Sequence, residues 1–448
     1  MSTSKTKGEA FRLSNGVLVL VERDDRLPLV DLAIDVRLGK LDDPSGLEGL
    51  SRLYASGLRS GPRGTSEVAL AGKLDALGAR LGITASKRVI RVRGAVLARH
   101  APAFIRLVGA MLSEPAFRSA DLERARRRLI ASVESLADDD RALAHRAFYG
   151  VYFHGHPYGK ALGGTPETLA RVRREHLEER HALVRGTRSI TIGIAGALPA
   201  GAHRDVLEEA FGGFGRTALP KRELASHRPR KGLRVVIVDK PDRTQCQLVL
   251  GSRGIRIGDP ATVPLQVGNH AFGGGFVSTL VKEVRSKRGY SYGASSVIGQ
   301  GPVRDAMLVQ TFPSSEHAAP CAKLVLRLYE RFVERGVTEK ATRAAKEALI
   351  RGHAFELETS GKRLESRLEV ETLGVPAAHH DRYVELVQAV DARTINDAIA
   401  SRLTAEDLVL VVVGEASTLE KKLARLPNTR EVLVFSHDAL PTSLTLEV

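Results

Sequence analysis

One unit is written twice in these 448 residues, and that duplication constrains the fold more than any single motif. "VDLAIDVRLGKLDDPSG" begins at Val30 and "CQLVLGSRGIRIGDPAT" at Cys246, and each reads as a strand running into Asp-Pro and then a helix. Asp43-Pro44 and Asp259-Pro260 stand 216 positions apart. "LERARRRLI", ending at Ile130, matches the style of "RAAKEALI", ending at Ile350, 220 positions on. "SITIGIAGAL" pairs with "DLVLVVVGEA", and Gly196 lies 218 positions before Gly414. The near-constant offset divides the chain into a first copy, residues 1–216, and a second, 234–448. Between them, 217–233 ("TALPKRELASHRPRKGL") is polar, basic and proline-containing, and reads as a surface linker.

Within a copy, strands and helices come in separate runs. "GVLVLVER" and "PLVDLAIDVRLG" alternate or run apolar, and "RVIRVRGAV" alternates strictly, so all three read as strands. "SEVALAGKLDALG" reads as a helix capped by Ser66 and closed by Gly78. "ARHAPAFIRLVGAMLSE" and "ADLERARRRLIASVESLADDDRALAHRAFYGVYF" are long helical stretches. This order predicts an α+β fold: two homologous domains, each an antiparallel-rich sheet with helices on one face.

Composition excludes several functions. The net charge of +15 comes from arginines scattered along helices, as in "LERARRRLIASVE", and reads as solvated faces or as a surface for acidic peptides or a partner subunit. No RNA or DNA motif accompanies it, and with no tryptophan a base-stacking platform has little to build on, so no nucleic-acid partner is expected. Two cysteines, Cys246 and Cys321, cannot make a disulfide framework or a thiolate zinc site, and Cys246 reads as a core residue. The sequence holds no signal-like or membrane-spanning apolar run, which sets the cytoplasm, and no membrane partner, as the expectation.

Four strings give the chain a resemblance over nearly its whole length: "DDPSGLEGLSRLYASG", "GTSEVALAGKLDALGARLG", "FHGHPYGKALGGTPETLARV" and "HAFGGGFVSTLVKEVRSKRGYSYGASS". Together they resemble the pitrilysin/insulinase family of zinc peptidases, in its processing-peptidase-like branch. The resemblance implies two homologous α+β domains joined by a linker and arranged as a clamshell. It also implies a helix carrying His-x-x-Glu-His, whose histidines at i and i+4 share one face and reach one zinc ion while the glutamate activates the bound water. A second glutamate on a later helix completes the ligands.

This chain departs from that pattern at every metal position. Counting from the Gly-Leu that precedes the family's motif, the first histidine falls on Gly49, the base on Arg52 and the second histidine on Leu53. The family's Glu-x6-Glu pair falls on Ala125 and Ser132. A cation at Arg52 would repel zinc, and no shift of one or two residues recovers a ligand set, the nearest histidine being His100. The other histidines fare no better. His154 and His156 are too close for ligation from one helix face and match a structural segment of the family. His176 and His181 diverge around a helix, and the His379-His380 pair reads as exposed.

Arg285 and Tyr292, by contrast, match the family's arginine–tyrosine pair, which the resemblance implies binds the substrate backbone and supports the tetrahedral oxyanion. Their bland reading is a surface arginine and a half-buried strand tyrosine. "FGGGF", Phe272 to Phe276, is no phosphate loop and resembles the family's ordinary glycine turn. The pattern predicts a zinc-less subunit, inactive alone, that binds no cofactor itself. A zinc-bearing homologous partner carrying His-x-x-Glu-His would complete the metallopeptidase acting on peptides or unfolded protein. The alternative is a catalytically inert structural or interaction homologue.

Overall fold

The computed structural model describes residues 8–186, 188–198, 202–219 and 223–439. It contains two six-stranded sheets with one plan. The first is built from β1 (Glu9–Arg12), β2 (Leu18–Arg23), β3 (Leu29–Val36), β4 (Arg80–Ala85), β5 (Ile90–Leu97) and β6 (Ile190–Gly196), in the order β1-β2-β6-β3-β5-β4. The second-half strands are β7 (Leu233–Asp239), β8 (Gln247–Arg253), β9 (Ile255–Arg256), β10 (Ala294–Ile298), β11 (Gln300–Gly301), β12 (Ala306–Thr311), β13 (Val409–Gly414) and β14 (Thr429–Ser436). Their main sheet runs β10-β12-β8-β13-β7-β14, and β9 and β11 form a short parallel ribbon.

Read from opposite ends, five strands of each sheet correspond: β2-β6-β3-β5-β4 and β7-β13-β8-β12-β10. The pair directions also agree, with β2/β6 and β7/β13 parallel and the remaining neighbours antiparallel. Only the sixth strand differs. β1 comes from before its unit and runs antiparallel to β2, whereas β14 comes from after its unit and runs parallel to β7. The duplication seen in the sequence is therefore a duplication of topology. The shared central strands, "ITIGIAG" and "VLVVVG", are buried at every residue, as strands covered on both faces must be.

Compact packing does not follow the sequence halves. One unit comprises residues 1–131, 162–222 and 355–377, and the other 132–161, 223–354 and 378–448. Each sheet is thus covered by a helix from the other half of the chain, and the two helices are sequence counterparts. Asp140–Tyr152 is capped by Asp139, which accepts from the Ala142 N–H at 3.0 Å. Ser360–Leu373 is capped by Thr359, 220 positions on, which accepts from the Lys362 N–H at 3.2 Å. What reads in sequence as one long helical stretch breaks before Asp139, and that break frees the second helix to join the other unit.

On the first sheet, Leu364 and Leu368 of Ser360–Leu373 pack with Leu20, Ala33 and Ala195. Gly193 admits Leu364, since a Cβ there would fall 2.8 Å from Leu364 Cδ1. Charges fix the helix: Arg367 donates to Glu22 at 2.8 Å, and Thr372 to the buried Asp35 at 3.1 Å. On the second sheet, Phe148 of Asp140–Tyr152 fills the space over Gly251, where a Cβ would fall 2.3 Å from its ring. Tyr149 donates to Asp305 at 3.0 Å, and Lys240 anchors the helix start through Asp140 at 2.8 Å.

The Ser66-to-Gly78 expectation is met closely: Glu67–Leu77 is helical, Ser66 accepts from the Ala69 N–H, and Gly78 is left-handed with φ 60°. Among the described residues no helix is long and apolar enough to cross a membrane.

Candidate functional site

The helix Leu50–Arg59 follows β3, where the family pattern would put its metal ligands. Gly49 is not on this helix but caps it, in the left-handed region at φ 98°. A Cβ at Gly49 would lie 2.6 Å from Leu169 Cδ2 and 3.1 Å from the Gly163 oxygen, so the backbone and the space both require glycine. Arg52 is half-buried and donates from Nη1 to the Gly163 oxygen at 3.0 Å, and burial lowers the pKa of its guanidinium. Leu53 is wholly buried core, as is Ala125. Ser132 is exposed in the last turn of Ser119–Glu134.

A glycine, a guanidinium, two hydrocarbons and a hydroxyl do not fit zinc, which takes imidazole, thiolate or carboxylate. Among the described residues, no three His, Cys, Asp or Glu side chains are grouped to hold a metal ion. Of the candidate histidines, His156 is structural, accepting from the Tyr158 N–H through Nδ1 at 3.1 Å with Nε2 3.0 Å from the Ala225 oxygen.

What holds this helix is a buried polar network. The Asp43 carboxylate accepts from the Gly49 N–H (3.1 Å), the Ser51 N–H (3.0 Å) and the Ser51 hydroxyl (2.6 Å). Arg180, from the helix Arg174–Gly186, pairs with Asp43 at 3.2 Å and donates to Ser51 Oγ at 3.0 Å and to the Asp42 oxygen at 2.9 Å. Burial pushes the Asp43 carboxyl up, against the Ser51 hydrogen bonds and the Arg180 charge. The loop at 163–169 closes over the helix start: Thr168 donates to the Glu48 oxygen at 2.8 Å, and Gly164, at φ 87°, lets that oxygen approach. The sequence signal for this network was the paired Asp-Pro. Its arginine partners, Arg180 and Arg402, have no motif of their own.

In the second unit, Asp259 accepts the Arg402 Nε–H on both carboxylate oxygens, at 3.1 and 3.0 Å. The helix Thr262–Asn269 that follows widens into a π-helical turn, His270–Gly274, and a second π-helical turn spans Val281–Ser286. Phe272 goes into the core, stacked on Phe332 with ring centroids 4.2 Å apart. Gly273 has no room for a Cβ, which would fall 2.3 Å from Ser296 Oγ. The strand edge is capped here too, as Asn269 donates to the Ser296 oxygen at 3.1 Å.

Between the two π turns the chain faces outward. Phe276 is 78% exposed and Val277 83%. Arg285 lies over the Phe276 ring at 5.4 Å. Gly289, at φ 63°, turns the chain, and Tyr292 sits before β10, 82% exposed. The Arg285 and Tyr292 side chains share no hydrogen bond, and neither side chain has an ion-pair or hydrogen-bond partner among the described residues. Phe276 and Val277 were not singled out in the sequence; the available signal was a bulky aromatic directly after three glycines.

A family model described as peptidase M16 inactive domain matches residues 171–349. A Bacillus subtilis protein named uncharacterized zinc protease YmxG is 20% identical over 413 residues, 91% of this chain and 98% of that protein. A Helicobacter pylori protein named non-peptidase homolog YmxG is 22% identical over 403 residues, 89% of this chain and 92% of its own length. The chain is similar to the M16 peptidases. A solved peptidase M16 inactive domain from Pseudomonas fluorescens superposes with a TM-score of 0.84 at 22% identity, covering 91% of this chain and 98% of that one. A chain of Candida albicans complex III2 shares the fold as well, with a TM-score of 0.73 at 14% identity over 93% of this chain and 99% of that one. The fold shared with these structures is a duplicated one, and at positions 49, 52, 53, 125 and 132 this chain has a cap glycine, a half-buried arginine, two core residues and an exposed serine.

Proposed function

We propose that this chain is the zinc-less subunit of a two-chain metallopeptidase. It offers Arg285 and Tyr292 to an extended peptide, and a homologous partner with His-x-x-Glu-His supplies zinc and general base. One observation carries the reading: Gly49, Arg52 and Leu53 are committed to a closed helix start, whereas Arg285 and Tyr292 stay exposed and unpaired. A tyrosine hydroxyl and a guanidinium with free donors can hold a peptide carbonyl and an oxyanion without supplying a nucleophile.

The test is reconstitution with a zinc-bearing homologue. Activity is expected only in the mixture, and Arg285→Ala or Tyr292→Phe should lower it about 10²-fold, the scale of losing one oxyanion donor. Full activity in either variant would remove the assigned role. A second reading, a catalytically inert interaction homologue, has the name of the Helicobacter pylori relative in its favour. It predicts no activity in any mixture.

A further inference from the structure

The loop beside Arg285 carries more than the arginine–tyrosine pair. Phe276, Val277, Val281, Lys282, Arg285 and Ser286 line an open depression of about 400 Å3. That volume holds one or two side chains rather than a folded surface. Its apolar wall is unusual in being turned to solvent, with Phe276 and Val277 among the most exposed large hydrophobic residues of the chain. Its polar wall is cationic. Glu283, the nearby carboxylate, is already neutralised by Lys287 at 2.6 Å and Arg288 at 2.7 Å, whose cations hold its pKa down. Lys282 and Arg285 have no carboxylate partner among the described residues. From Lys282 to Arg288 the chain thus carries four cations against one carboxylate, within a molecule of net charge +15.

We infer that this depression selects peptides in which an acidic side chain lies next to an apolar one. The apolar side chain would cover Phe276 and Val277, and the carboxylate would meet Lys282 and Arg285. The inference rests on the peptide-binding reading above and adds a substrate class to it. Arg285 suits the role because its guanidinium lies over the Phe276 ring, 5.4 Å from the centroid, beside the apolar wall, with donors left for a forked carboxylate. A nucleic acid fits the same surface less well. Phe276 is the one aromatic among the lining residues and the rest of the apolar wall is aliphatic, so successive bases have no run of rings to stack on.

The experiment is fluorescence anisotropy on the full chain, with three labelled peptides that share Gly-Ser flanks around Leu-Asp-Leu, Leu-Asn-Leu or Leu-Lys-Leu. The Asp peptide should bind at least ~10-fold more tightly than the Lys peptide at low salt, and the gap should narrow as salt screens exposed charges. Lys282→Glu should erase the preference, and Phe276→Ser should weaken the Asp and Asn peptides about tenfold by removing apolar cover. Both residues are exposed, so unchanged unfolding midpoints will show that the variants fold. Equal binding of the Asp and Lys peptides would overturn the inference. A preference that survives Lys282→Glu together with Arg285→Gln would also overturn it. An oligo-dT 12-mer that displaces the Asp peptide at lower concentration than the unlabelled peptide would reassign the surface to nucleic acid. None of these outcomes touches the reconstitution test with Tyr292→Phe, so the subunit role and the charge preference can fail separately.

Discussion

Asp43 and Asp259 do the same job in the two copies, yet the helices that follow them have opposite fates. Each aspartate precedes a proline, and each is gripped by an arginine from the helix that precedes its central strand, Arg180 or Arg402. In the first copy the grip is sealed. The Asp43 and Arg180 side chains are 1% and 4% exposed, Ser51 is threaded between them, and Gly49 at the helix start has no room for a side chain. In the second copy the Asp259 and Arg402 side chains are 12% and 29% exposed. The helix there loosens into two π-helical turns, and π turns recur at functional sites because they re-aim side chains without ending the helix. The duplicated frame recurs as architecture, while the helix start after it is closed in the first copy and looser in the second.

The largest expected effect breaks the frame itself. A fragment of residues 1–216 lacks Ser360–Leu373, so Leu20, Ala33 and Ala195 lose their cover and Glu22 loses Arg367. Urea denaturation followed by circular dichroism should show no cooperative transition for this fragment, and fusing residues 355–377 to it should restore one. A sharp transition in the bare fragment would contradict the exchange of helices.

Next comes the closed helix. Restoring the family's motif through Gly49→His, Arg52→Glu and Leu53→His forces a side chain into left-handed, occupied space and a polar ring into the core. A loss of more than ~4 kcal/mol is expected. Equilibrium dialysis should find no stoichiometric zinc. The two grips then sharpen the comparison. Arg180→Ala leaves Asp43 buried and unpaired and should cost about 3–5 kcal/mol in denaturant unfolding. Arg402→Ala acts on a less buried pair and should cost clearly less than Arg180→Ala. Equal costs would remove the contrast.

The smallest effect is in pH. His227, in the 223–230 segment, packs 4.9 Å from Phe153 and 5.4 Å from Tyr152, and its Nε2 is buried without a partner. Burial, aided by the charge of His156, pulls its pKa down to about 4. An unfolded chain binds that proton near pH ~6.5, before the folded one does, so stability should fall as pH drops from ~6.5 toward 4. His227→Phe should flatten the slope, as read from unfolding midpoints across that range. A slope unchanged in the variant would place the titration elsewhere.

Much of this was legible before the structure. Buried central strands print as unbroken apolar runs, so "ITIGIAG" and "VLVVVG" announced both sheets, and Ser66 and Gly78 marked a helix because capping is local chemistry. The residue types at positions 49, 52, 53, 125 and 132 were visible too, since they are read directly from the sequence. The exchange of helices was hidden, because nothing local says on which sheet Leu364 or Phe148 will lie. The Asp43–Ser51–Arg180 network was hidden for the same reason: Arg180 lies 137 residues from Asp43 and meets it only in the fold. Exposure escaped as well. "FGGGF" contains two phenylalanines with opposite destinies, Phe272 stacked in the core and Phe276 in solvent, and only the π-helical turn between them decides which is which.

Metal analysis with activity on one sample tests the central claim most directly. The chain should be purified alone and again mixed with a homologue that carries His-x-x-Glu-His, and each preparation assayed for zinc and for peptide cleavage. The account predicts no stoichiometric zinc and no cleavage for the chain alone, and one zinc per pair with cleavage for the complex. One equivalent of zinc in the isolated chain, or a zinc-loaded complex that cleaves nothing, would contradict it.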